Sequence, residues 1–164
     1  MRIAVDGMGG DYAPQNIVAG VVAALQANRD ISRLFLVGDK ERLAADLRRL
    51  NFADSRLEIV PTTEVITMDD PPVQAVRRKR DSSLTRGIDL VKQGEADAVV
   101  SAGNTGALLT AAHLKLRTLE GVDRPGLAAV LPAPKNVFVL MDAGANLEPH
   151  PTNLVQYAIM GSLY

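Results

Sequence analysis

The feature that most constrains this chain is an alternation. Short apolar runs repeatedly stop at small residues or proline, and stretches with apolar residues at helical spacing follow. Arg2–Asp6 reads as a strand ending at a turn built on Gly7, Gly9 and Gly10. Pro14 suits the first turn of a helix, where its missing N–H costs nothing, and Ile17, Val18, Val21, Val22 and Leu25 then recur at helical spacing. Arg33–Val37 is a second buried strand, stopped by Gly38. Asp39 is placed to cap a helix carrying Leu43, Leu47 and Leu50. Leu57–Val60 is a third strand, ended by Pro61. Pro71-Pro72 opens a short helix running into Arg77-Arg78-Lys79-Arg80. Ser82 or Ser83 caps the next helix, with Leu84, Ile88 and Val91 on one face and Gly94 at its end. Ala96–Val100 is another strand and Gly106–Leu119 another helix.

Apolar strands that alternate with amphipathic helices predict βαβ units. The expected fold class is therefore α/β, a three-layer α/β/α arrangement around a largely parallel sheet. Leu127–Leu131 and Val137–Met141 flank Pro132-Ala133-Pro134-Lys135-Asn136, a spacing that predicts a hairpin and hence a mixed sheet. Pro151–Tyr164 predicts a last helix with Leu154, Val155, Ala158 and Ile159 on its apolar side. The sequence stops at Gly-Ser-Leu-Tyr without a polar tail. Residues 1–164 are accordingly expected to form a single α/β domain that is the N-terminal portion of a longer protein.

Bulk properties exclude several function classes. Eighteen Lys and Arg against 19 Asp and Glu leave a net charge of −1, so nothing global points to nucleic acid or an anionic membrane. There is no cysteine, which removes disulfides, a thiol nucleophile and thiolate metal sites. His113 and His150 are far apart and in no ligand-spaced motif, so no metal is expected. The apolar run of M-R-I-A-V-D-G is too short for a signal peptide, and no stretch reaches membrane-spanning length. The expected location is the cytoplasm.

In an open α/β sheet, ligands bind beyond the carboxyl ends of the strands. Three such corners have unusual composition: Asp6-Gly7-Met8-Gly9-Gly10-Asp11, Ser101-Ala102-Gly103-Asn104-Thr105-Gly106, and Asp142-Ala143-Gly144-Ala145-Asn146. In the second, glycines let a ligand approach the backbone, and the following helix offers unpaired N–H groups and roughly half a positive charge. Ser101, Asn104 and Thr105 add side-chain donors. The natural guest is a small anion, phosphate by default. The same residues also suit a plain βα turn with an Asn or Thr cap. Asp6 and Asp142 each end a strand. They suit metal binding or orientation of a catalytic group, and equally the ordinary capping of loops. Asp11 is placed to cap the Pro14 helix.

Arg77–Arg80 is the one dense charge run. It suits a solvated helix end facing the C-terminal dipole, with one member turned toward a phosphate. Absent motifs narrow the field further. The first corner lacks the third glycine of G-x-G-x-x-G, which weakens a dinucleotide fold. There is no G-x-x-x-x-G-K-[ST] and no G-x-S-x-G.

Several stretches together resemble the bacterial phosphate acyltransferase family. They are M-R-I-A-V-D-G-M-G-G-D-Y-A-P at the start, K-R-D-S-S-L at 79–84 and G-E-A-D-A-V-V-S-A-G-N-T-G-A-L-L at 94–109. D-R-P at 123–125, D-A-G-A-N at 142–146 and L-V-Q-Y-A-I-M-G-S-L-Y at 154–164 continue the match in the family's order. The resemblance implies a fold akin to phosphotransacetylases and isocitrate-dehydrogenase-like enzymes. It implies transfer of a long-chain acyl group from acyl-carrier protein to inorganic phosphate, without a cofactor. The acyl-phosphate then feeds a glycerol-3-phosphate acyltransferase partner at the membrane, where the family associates peripherally. Members are homodimers and continue well past G-S-L-Y. The family has His where this chain has Tyr12, and a phenol is a poor proton acceptor at neutral pH.

On that resemblance, the expected catalytic residues are Asn104, Lys79 and Asp142. Asp6, Gly9, Gly10, Asp11, Ser82, Ser101, Gly103, Thr105, Gly106, Gly144 and Asn146 are expected to bind substrate and phosphate. Two other readings stand beside it: a short-chain acyl-phosphate/coenzyme A transferase on the same scaffold, and a non-catalytic domain that binds phosphate or acyl groups.

Overall fold

The computed structural model describes residues 1–146 and 148–164. They fall into two compact units, Met1–Leu116 and Arg117–Tyr164.

The first unit is built on four parallel strands. β1 (Arg2–Asp6), β2 (Arg33–Gly38), β3 (Leu57–Pro61) and β4 (Ala98–Val100) lie in the order β3-β2-β1-β4. In β1 and β2, alternate side chains take opposite faces, as the pleat requires. Ile3, Val5, Leu34 and Leu36 pack under α1 (Gln15–Ala27) and α2 (Lys40–Arg49), against Val18, Val21, Leu25, Leu43 and Leu47. On the other face Ala4, Phe35 and Val37 meet Leu90 of α4 (Ser83–Lys92). A further cluster joins α3 (Pro72–Arg78), α4 and α5 (Thr105–Leu116) through Val76, Leu84, Ile88, Ala107 and Ala111. Both sheet faces are covered, so the unit is the expected α/β/α sandwich.

The local signals explain the helix starts. Asp39 accepts from the amides of Glu41 and Arg42, and Ser82 accepts from that of Thr85. These caps satisfy donors that the first helical turn leaves without partners. Leu50 lies just past α2 and is 41% exposed, outside the apolar stripe expected to include it. α5 stops at Leu116, short of the expected Leu119. Arg117 there turns into the left-handed region at φ 67°, which a helix cannot continue through.

The second unit holds the expected hairpin, β5 (Ala129–Pro132) antiparallel to β6 (Val137–Leu140). Its two strands form a ladder of their own, so the mixed sheet resolves into one parallel and one antiparallel sheet. α6 (Pro151–Leu163) follows. The side expected to face a core does not. Leu154, Val155 and Ile159 are 56%, 61% and 56% exposed, whereas Asn153 and Tyr157 are buried. Helical periodicity marks an apolar face but not what covers it. Among the described residues, no helix is long and apolar enough to cross a membrane.

Candidate active site

The strand order places a crevice. From β1 the chain winds to β2 and β3 on one side, then crosses to β4 on the other side of β1. The loops that follow β1 and β4 therefore part at a topological switch point, where open α/β sheets bind ligands. These loops are the first two glycine-rich corners of the sequence.

They are tied together at close range. Asp6, 2% exposed at the end of β1, accepts from the Ser101 hydroxyl at 2.7 Å and from the Met8 amide at 3.2 Å. Ser101 in turn accepts from the Gly103 amide at 3.1 Å. Glycine is required at this junction. A Cβ on Gly9 would lie 2.4 Å from the Asp6 carboxylate, and one on Gly103 would lie 3.2 Å from the Gly9 Cα. Of the roles left open for Asp6, this geometry is that of a group orienting two loops. Among the described residues, no cluster of three His, Asp or Glu is arranged to hold a metal.

Asn104 and Lys79 meet on a segment that sequence reasoning passed over. Asn104, 7% exposed, shares its two side-chain N–H bonds among the carbonyls of Thr67, Met68 and Asp70 at 3.1 to 3.3 Å. Its Oδ1 accepts from the Ala107 amide and caps α5. The Lys79 ammonium donates to the Asp70 carboxylate at 2.5 Å and to the Val65 carbonyl at 2.8 Å. Asp70 also accepts from the amide and hydroxyl of Thr67. The bond from Lys79, followed by that from the Thr67 amide, holds the Asp70 carboxyl below its ordinary range. Residues 65–70 thus form a strap fixed from two directions. Polar side chains inside a folded unit commit to partners because an unpaired buried group is costly. Asn104 has done so with main-chain carbonyls, and Lys79 with the Asp70 carboxylate and the Val65 carbonyl.

The remaining expected residues divide. Gly10, at φ 105°, backs onto the Ala102 carbonyl, and Asp11 lies beside it at the rim of a cleft facing the strap. Thr105 is the first residue of α5. Gly106 serves packing: a Cβ there would meet Pro72 Cγ at 2.8 Å, so it lets α5 approach α3. Ser82 is fully buried, and its hydroxyl bonds Thr85 within the α4 cap. Tyr12 is 75% exposed.

Asp142, Gly144 and Asn146 belong to the second unit. The Asp142 carboxylate gathers the amides of Leu127, Ala145 and Asn146 and the Asn146 side chain, at 2.7 to 3.2 Å. Burial pushes its carboxyl up, but these donors outweigh burial and hold it below the ordinary range. Asn146 also donates to the Pro125 carbonyl. Tyr157, 2% exposed, is pushed up by burial and then by the Asp142 charge. Gly144, at φ 89°, supplies the left-handed residue of this loop.

The strap escaped sequence reasoning because, the Asp70 carboxylate apart, its contribution is main-chain carbonyls, which leave no residue-type signature. The available signal was local. Thr67 and Asp70 stand three apart just before Pro71-Pro72, a spacing that suits a side-chain-bonded turn.

The fold resembles that of the EutD phosphotransacetylase from Staphylococcus aureus, with a TM-score of 0.69 at 20% identity, over 97% of this chain and 51% of that one. A phosphate acyltransferase of Thermoanaerobacterium thermosaccharolyticum is 49% identical over 164 residues, all of this chain and 47% of the relative. One from Clostridium tetani is 43% identical over the same span, 49% of its length. The chain thus spans about half the length of the curated relatives it matches. The family described as fatty acid synthesis protein matches residues 1–164. With the match running the length of the chain and the glycine corners meeting at the switch point, the chain belongs to the fatty acid synthesis protein family.

Proposed function

We propose that this protein takes part in transferring a long-chain acyl group from acyl-carrier protein to inorganic phosphate, giving an acyl-phosphate for phospholipid synthesis. The observation that carries the proposal is the junction of Asp6, Gly9, Ser101 and Gly103 at the switch point, beside the N-terminus of α5. First-turn amides of α5 other than that of Ala107, which Asn104 caps, and the positive end of the helix dipole suit a phosphate there. The names borne by relatives at 43% and 49% identity support the same chemistry.

The reaction asks little of side chains as acids or bases. A phosphate oxygen attacks the thioester carbonyl, and an oxyanion forms. Its collapse breaks the carbon–sulfur bond, and the thiolate leaves with that electron pair. Phosphate is already anionic at neutral pH, and the departing thiol has a pKa of about 8.5 by analogy with cysteine. Positioning and stabilisation of the oxyanion are then the protein's work. A chain with no cysteine and two isolated histidines suits such a mechanism.

In this reading Asp142 serves catalysis, and Gly144 and Asn146 serve substrate binding. The exposed Arg77, Arg78 and Arg80 receive the acidic carrier protein. A homodimer acts beside a membrane-bound glycerol-3-phosphate acyltransferase. The test is thiol release from palmitoyl-acyl-carrier protein by this chain and by the family-length protein, with and without phosphate. Phosphate-dependent release is the expected result; release that ignores phosphate, or none from the family-length protein, overturns the reading.

A further inference from the structure

A cleft of about 260 Å³ separates the Met8–Asp11 turn from the strap at residues 65–69. It is slightly smaller than typical small-molecule pockets, roughly 300–1,000 Å³. Three features restrict its guest. First, its lining mixes apolar residues, Met8 and Ile66, with Gly10 and Thr67, the amide and hydroxyl of the latter being bonded to Asp70. Second, its rim carries two carboxylates, Asp11 and Asp69, both exposed. The neighbouring ammonium, Lys79, is already paired with Asp70. An anion there would face like charge without compensation. Third, Gly10 stands between the cleft and the second corner, because a Cβ on Gly10 would meet the Ala102 carbonyl at 3.1 Å. A ligand in the cleft therefore ends close to the Ser101–Gly103 turn.

We propose that this cleft holds the neutral, amide-bearing arm of a thioester donor, and that Asn104 and Lys79 act on it by positioning its strap wall. The inference rests on the acyl-transfer reading above and adds the donor's place within it. Both residues bond the strap's main chain, one from the start of α5 and one from the end of α3. A thioester arm here directs its carbonyl toward phosphate at the second corner, the adjacency that the displacement requires. Asn104 and Lys79 touch no reacting atom in this arrangement. Loss of Lys79 blurs the donor site and leaves the phosphate site formed, whereas loss of Asn104 also uncaps α5.

The test uses hydrogen exchange of the 164-residue chain with S-acetylpantetheine as the probe. At saturation, the probe is expected to slow exchange of the amides in 65–70 at least threefold, while phosphate alone leaves them unchanged. Asn104→Ala and Lys79→Met are each expected to speed strap exchange about tenfold and weaken probe binding about tenfold. Lys79→Arg restores both, and the β1 and β2 amides keep wild-type exchange as the control for folding. In turnover, Lys79→Met raises the donor KM and leaves the phosphate KM unchanged. An unprotected strap at saturating probe, or variants that bind the probe like wild type, overturns the inference. Strap protection without phosphate-dependent thiol release sinks the acyl-transfer reading and leaves the cleft standing; release with an unprotected strap does the reverse.

Discussion

The Ser101 hydroxyl donates a 2.7 Å hydrogen bond to the Asp6 carboxylate, joining the ends of two neighbouring strands that lie 95 residues apart in sequence. Asp6 is buried and also accepts from Met8. Asp6→Ala leaves two donors facing each other across a gap, and stability is expected to fall by about 1–3 kcal/mol. Ser101→Ala is expected to cost less, because Asp6 keeps the Met8 amide. The two share one bond, so the double variant should fall short of the sum. Urea midpoints give these values, and a strictly additive double variant would refute the coupling. Both variants are also expected to raise the phosphate KM about tenfold.

Two helix glycines are expected to respond with opposite signs. A Cβ on Gly20, inside α1, would meet no atom within 4 Å, whereas one on Gly106 would meet Pro72 Cγ at 2.8 Å. Gly20→Ala should stabilise the chain by about 0.5–1 kcal/mol, since glycine inside a helix costs that much relative to alanine. Gly106→Ala should destabilise it by about 1–3 kcal/mol, because α5 must move away from α3. Thermal melts of the two variants decide the point, and equal shifts would contradict this packing of α5 on α3.

Stability is expected to fall in acid. The Asp54, Asp70, Asp81, Asp97 and Asp142 carboxyls are all held below their ordinary range in the folded chain. A depressed carboxyl stabilises the fold fully above its unfolded pKa, about 3.9 for Asp. That contribution disappears as pH falls through the lower, folded value, because the unfolded chain then binds more protons. Unfolding free energy should therefore be nearly flat from pH 5 to 7 and drop below about pH 4. Urea melts at pH 7 and pH 3 read this directly, and equal midpoints would contradict it.

Some of this architecture was legible in the sequence. The strand from Arg2 to Asp6, the Asp39 cap, the Ser82 start of α4 and the hairpin across 132–136 were each written in residue types with strong local preferences. So were the three small-residue corners after apolar runs, though not the bond between the first two. Distances along other routes were not. The sequence offers Asn104, beside Gly103, and Lys79, within the Arg77–Arg80 charge run, as ligands. It does not show that Asn104 bonds the carbonyls of Thr67, Met68 and Asp70, which any residues would supply, or that Lys79 bonds the Val65 carbonyl and the Asp70 carboxylate. The α6 stripe of Leu154, Val155 and Ile159 was legible as apolar, but its surroundings are set by tertiary structure.

The last prediction concerns charge. Arg77 and Arg78 end α3 and are exposed, as is Arg80, while Lys79 between them is engaged with Asp70. Three cations are thus available to a partner, and the fourth is internal. If an acidic carrier protein docks here, Arg77→Glu with Arg78→Glu should weaken its binding at least tenfold and slow association more than dissociation, because exposed charges act mainly by steering encounter. Wild-type affinity should fall as ionic strength rises from 0.01 M to 0.15 M, over which the screening length shrinks from about 30 to about 8 Å. Lys79→Met provides the contrast: it disturbs the strap without emptying this patch, so the association rate should hold near wild type. Surface plasmon resonance across a salt series separates these cases. A wild-type association rate in the Arg77→Glu, Arg78→Glu variant would mean that the patch is only the solvated end of α3.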